Sequence, residues 1–116
     1  MNCSSNTVEI IRGSDHVLRV EIRNREGIAF DLTGADPIEA GFTKSDGTNE
    51  SVTLADGEIE VAEPEELGTL VITLPAAFTD DLKVGPRQSF EVKLTKDSKV
   101  YKVRFPEMLD VIASKT

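Results

Sequence analysis

The chain is 116 residues long, 39% hydrophobic and 29% charged, with 21 acidic against 13 basic residues and a net charge of −8. That length suits one domain able to bury roughly two thirds of its unfolded surface without disulfide staples. An acidic surface repels phosphate backbones, the basic residues do not cluster in sequence, and no apolar run approaches the ~20 residues of a bilayer-crossing helix, so neither nucleic acid nor membrane is expected as a partner.

Residues 1–6 read as a flexible N-terminal segment, 7–112 as a single β domain, and 113–116 as a C-terminal tail. Met1 to Thr7 has neither the basic start nor the apolar core of a signal peptide, so synthesis in the cytoplasm is expected. In that setting the glycosylation patterns at Asn2-Cys3-Ser4 and Asn49-Glu50-Ser51 are chance matches. Cys3, the one cysteine, reads as a loose N-terminal thiol, with a cross-link between subunits as the alternative; an internal disulfide would need a second thiol, and a cysteine-based metal site a second thiol or a ligand-spaced histidine.

Thr7 to Ile11 opens as a β-branched run, and Arg12-Gly13-Ser14-Asp15 turns it into Val17 to Asn24. There Leu18, Val20 and Ile22 share one face and Arg19, Glu21 and Arg23 the other, the period-two pattern of a half-buried strand. Asn24 to Gly27 supplies a turn before the short apolar segment Ile28 to Leu32. Leu32 to Ala35 must then turn the chain between two strands in few residues, which predicts a positive φ at Gly34. Pro37 prevents a continuous strand through its position, so Ile38 to Lys44 begins afresh, and Ser45-Asp46-Gly47-Thr48 closes a hairpin onto Glu50 to Leu54.

Asp56-Gly57 makes the next turn, and Glu58 to Val61 is a brief strand with Ile59 and Val61 directed inward. Ala62 to Gly68 reads as an acidic loop, and Thr69 to Leu74, with Leu70, Val71, Ile72 and Leu74, as the clearest buried strand. Pro75 to Leu82 has Phe78 and Leu82 four apart, enough for one or two helical turns capping the core. Val84-Gly85-Pro86 ends it. Ser89 to Thr95, with Phe90, Val92 and Leu94 inward, forms the best hairpin of the chain with Val100 to Phe105, where Tyr101 and Val103 complete the predicted core. Pro106 is expected to stop that strand, leaving Met108 to Ile112 as an edge strand or a docking tail. About eight or nine strands at 8 to 12 residue spacing, with one short helix, point to an antiparallel sandwich.

The chemistry-bearing residues do not compose a site. Ser14, Asp15 and His16 are adjacent, and neighbours on an extended chain point to opposite faces, whereas a hydrolytic triad needs converging side chains; the tetrapeptide from Gly13 reads as a turn. Glu63, Glu65 and Glu66, and separately Asp80 and Asp81, lack the alternating ligands and glycine of a calcium loop. With no tryptophan and only Tyr101 as tyrosine, a sugar-stacking cleft is disfavoured, and the eight glycines have no phosphate-loop spacing. No catalytic residue, metal or cofactor is therefore expected.

The order of pieces carries more. The Arg12-Gly13-Ser14-Asp15 turn, the Val17 to Ile22 strand, Asp31-Leu32-Thr33-Gly34-Ala35, the Phe42 strand ending in Lys44-Ser45-Asp46-Gly47, Leu67 to Leu74, Thr79-Asp80-Asp81-Leu82 and the Phe90-Glu91-Val92 strand with its Lys96-Asp97-Ser98 turn follow one another. Over residues 7 to 112 this resembles the immunoglobulin-like β-sandwich proteins of tailed bacteriophages, similar to the N-terminal domain of baseplate upper proteins and to small tail- or head-associated virion components. The resemblance implies an immunoglobulin-like antiparallel β-sandwich and a non-enzymatic structural role in a virion. Its implied partners are other virion proteins and copies of itself, with no small-molecule substrate. Edge strands suit such assembly. A carbohydrate- or protein-binding module is the alternative, and a small hydrolase the third.

Overall fold

The computed structural model describes residues 8–23 and 26–113. The expectations placed on Cys3, on the N-terminal segment, on Asn24 and Arg25, and on residues 114–116 lie outside them. Eight strands are present among the described residues: β1 (Val8–Ile11), β2 (His16–Glu21), β3 (Ile38–Thr43), β4 (Asn49–Thr53), β5 (Ile59–Val61), β6 (Thr69–Leu74), β7 (Gly85–Lys96) and β8 (Lys99–Ile112). One helical turn, α1 (Ala76–Thr79), joins β6 to β7, and a 3-10 turn covers Glu65–Leu67.

The strands form two sheets, ordered β1-β8-β7-β3-β4 and β2-β6-β5. A three-stranded sheet of the second, sixth and fifth strands faces a sheet built around the third, seventh and eighth, extended by the fourth at its edge. That is the arrangement of an immunoglobulin-like sandwich. Alternation drives the layering. Leu18 and Val20 of β2, Ile38, Ala40 and Phe42 of β3, and Phe90, Val92 and Leu94 of β7 are all buried, while the residues between them face outward. Phe42 stacks on Phe90, and Phe90 on Phe105, with ring centroids 5.0 and 4.8 Å apart. Stacked aromatics thus fill one end of the layer between the sheets.

Four expectations need correction. Pro106 does not end its strand: β8 runs on to Ile112. Between the pairs Phe90↔Phe105 and Gln88↔Leu109, one residue of β7 stands opposite three of β8. Pro106 thus falls in a bulge, where its missing N–H costs no ladder bond. Second, Met108 to Ile112 is neither an edge nor a tail, because β1 pairs outside it, and it does so in parallel, Val8↔Leu109 to Ile11↔Ile112, so the sandwich is not antiparallel throughout. Third, Ile28 to Leu32 is not a strand; Ala29 alone bridges Arg23, Ile28 is 59% exposed, and Leu32 drops into the core from a loop held by Leu32 N–H to Glu65 carbonyl at 3.0 Å. Fourth, Tyr101 and Val103, expected in the core, are half-buried and pack against it from its margin, whereas Val61 points inward against the core as expected. β7 also starts earlier than expected, at Gly85, and includes Pro86 beside a second irregularity between Gly85 and Gln88.

Two glycines are set by backbone geometry. Gly34 has φ 77° with open space where a Cβ would be, as the Leu32 to Ala35 turn requires. Gly68 has φ 71°, and a Cβ there would stand 2.7 Å from the carbonyl oxygens of both Ile22 and Phe30. Only glycine lets the chain pass this close.

Candidate interaction surface

The Ser14 corner is a structural lock. Ser14 Oγ donates to the Ile11 carbonyl at 2.6 Å, and the Ile11 N–H donates to His16 Nε2 at 3.2 Å. Ser14 Oγ and His16 Nε2 come within 3.4 Å because both reach back to the backbone of β1, to which each atom is already committed. Asp15 turns the other way and accepts from the Ala76 N–H, the first of α1, at 2.6 Å. Fully buried Thr79 completes the lock: its hydroxyl donates to the Ser14 carbonyl at 2.7 Å and accepts from the Gly13 N–H at 3.1 Å. The Arg12 side chain donates to the Asp80 carbonyl at 2.9 Å.

The acidic residues are likewise placed by local structure. Asp81 joins a cluster at the β3–β4 end: Lys44 Nζ lies 2.8 Å from Asp81 Oδ2 and 3.1 Å from Glu50 Oε2, and Ser45 Oγ donates to Asp81 Oδ1 at 2.9 Å. The Lys44 contact, then the Ser45 hydroxyl, holds the Asp81 carboxyl below its ordinary range, and the same carboxylates raise Lys44. Hydrogen bonds from Thr48 lower Asp46, and those from Thr33 lower Asp31. Glu63 and Glu66 are exposed, and Glu65 is half-buried on the 3-10 turn. Among the described residues no three His, Cys, Asp or Glu side chains converge to hold a metal ion. The ring of Tyr101 packs edge-on against Phe30 at 5.0 Å, so it serves the core margin.

A concave surface exists elsewhere, on the outer face of the five-stranded sheet. A shallow depression of about 330 Å3 lies across β4, β3, β7 and β8. Register builds it. Glu39, Lys93 and Lys102 stand side by side in one row across β3, β7 and β8, and Gly41, Glu91 and Arg104 in the next. Lys93 Nζ is 3.9 Å from Glu39 Oε1, and Arg104 Nη2 donates to Ser89 Oγ at 3.4 Å. Gly41 makes the hollow: a Cβ there would meet only Ser51 Oγ, at an ordinary 3.6 Å, so packing does not demand glycine. Thr43, Asn49 and Ser51 form the neutral rim toward β4. Sequence patterning assigned these basic residues to solvated strand faces, which is where they lie, but it did not bring the five charges together. The missing signal is lateral register, which no single strand contains.

No protein-family model and no curated protein matches the chain. Among solved structures, bovine butyrophilin is similar with a TM-score of 0.46 and 11% identity, over 92% of this chain and 51% of that one. Extracellular domains 3–5 of OTK from Drosophila are similar with a TM-score of 0.34 and 17% identity, over 93% of this chain and 32% of that one. The chain thus spans about half the length of the first and a third of the second, and neither likeness adds to what the strand order itself says of the fold.

Proposed function

We propose that the protein is a non-enzymatic assembly domain of a tailed-bacteriophage virion, made in the host cytoplasm and joined to other virion proteins and copies of itself through sheet surfaces and edges. The observation that carries this reading is the outer face of β3, β7 and β8, where charges of both signs alternate around a glycine hollow. Such a face, shallow and with its charges in a fixed pattern, offers another protein the polarity that sets register between partners. The phage-like order of sequence motifs supports the setting, and the Ser14 corner supports the non-enzymatic part, because its hydroxyl, imidazole and carboxylate are each bonded to backbone.

Electron microscopy and protein mass spectrometry of purified particles from the native source test the reading. The expected result is this chain in stoichiometric, symmetric copies. Absence from every particle, together with a hydrolytic activity lost in Asp15→Asn or His16→Ala, would overturn it. The alternative of a carbohydrate-binding module draws on the polar rim of Thr43, Asn49 and Ser51, and saturable glycan binding lost in Asn49→Ala would favour it instead.

A further inference from the structure

We propose that the hollow on the five-stranded sheet receives the acidic segment 58–66 of a second copy of this chain, in a head-to-tail contact; this rests on the assembly reading above. The chain carries −8 overall, whereas the ionisable side chains lining the hollow are two acids, Glu39 and Glu91, and three bases, Lys93, Lys102 and Arg104. The face is therefore locally cationic on an acidic protein. Segment 58–66 is its opposite, with five glutamates in nine residues and no basic residue.

Ion pairing within the fold leaves both sides with charge to spare. The ion pairs among the described residues join Arg23 to Glu21, Lys44 to Glu50 and Asp81, Lys93 to Glu39, and Lys96 to Asp31. None of them uses Lys102 or any glutamate between 58 and 66. The spacings also agree. Ile59 is fully buried, so Glu58, just before β5, and Glu60, within it, stand on either side of it about 7 Å apart along the chain; Glu60 is exposed, whereas Glu58 is half-buried and its Oε1 accepts from the Thr53 N–H at 3.4 Å. Lys102 and Arg104 flank the inward Val103 of β8 with the same two-residue separation. Because β5 is an edge strand of the other sheet, the donor and acceptor surfaces are different parts of the molecule. A contact between unlike surfaces repeats from copy to copy, giving a ring or a filament rather than a closed twofold dimer.

Charge reversal tests this on the full chain by sedimentation velocity at low and high salt. Wild type is expected to self-associate at low salt and to dissociate as salt screens the contact. Lys102→Glu with Arg104→Glu, and separately Glu60→Lys with Glu63→Lys, should each weaken association by about tenfold or more, since like charges then face each other. Circular dichroism of each variant should match wild type. Mixing the two variants should restore association, because each then offers the surface that the other lost. Failure of the mixture to associate, or wild-type association untouched by either reversal, overturns this contact and leaves the assembly reading standing. Wild type that stays monomeric at low salt, yet is found in purified particles, also overturns it and assigns the hollow to a different virion protein.

Discussion

The five-stranded and three-stranded sheets present the same kind of side chain to each other and very different surfaces to solvent. Leu18, Leu70, Ile72 and Leu74 on one side meet Ala40, Phe42, Phe90 and Val92 on the other, all essentially without exposure. Outside, the larger sheet sets bases beside acids around Gly41, while the smaller sheet ends in the glutamate-bearing edge of β5. Stability therefore depends on the inner faces and the turns that bring them together, and the proposed recognition on the outer ones. Substitutions on the two sides should separate these effects.

The largest loss is expected at the centre of the smaller sheet. Ile72 pairs with Leu18 and Ile59 and is fully buried, so Ile72→Ala should cost about 2–5 kcal/mol in urea unfolding. A loss under about 0.5 kcal/mol would mean that this face does not hold the layers together. Next comes Gly68→Ala. The left-handed backbone alone should cost about 1–3 kcal/mol, and the two carbonyls 2.7 Å from the new Cβ must also move. Unchanged stability would show that β6 can enter the sandwich by another path.

Gly34→Val should be milder, about 1–2 kcal/mol, because its φ of 77° is unfavourable for a side chain while the space around it is open. An unaltered midpoint would remove the turn from the set of features that hold the layers in place. The smallest effect is acid dependence. Asp31, Asp46 and Asp81 each have a folded-state pKa below the ordinary value of 3.8. Their contribution is present above that value and is lost as pH falls through it toward the lowered one. Thermal melts should therefore lose a little stability below about pH 4, and Asp81→Asn should flatten that slope. A slope unchanged in Asp81→Asn would make the Lys44 cluster an ornament of the surface, in line with the small worth of exposed pairs.

Much of the fold was legible because strand alternation is a local property. Leu18-Val20-Ile22, Phe90-Val92-Leu94 and the positive φ of Gly34 follow from residue types a few positions apart, and the turns at Gly13 and Gly47 follow from the positive φ that glycine allows there. The Ser14 corner was readable as a turn for the same reason, although the approach of Ser14 to His16 was not, since it depends on both reaching the backbone of β1. The errors all arose where a distant segment decided the outcome. Pro106 reads as a stop until the bulge opposite β7 removes the need for its N–H, and Met108 to Ile112 reads as an edge until β1 covers it in parallel.

The candidate surface belongs to that second group. That Glu39, Glu91, Lys93, Lys102 and Arg104 point outward was determined by the period-two pattern of each strand alone, because successive side chains of a strand must alternate between faces. That they form two rows around a hollow was decided only by the tertiary structure. Which residue of β3 lies beside which of β7 and β8 depends on hydrogen-bonded register and on the order of strands in the sheet, and both are set by how two sheets bury their apolar faces against each other.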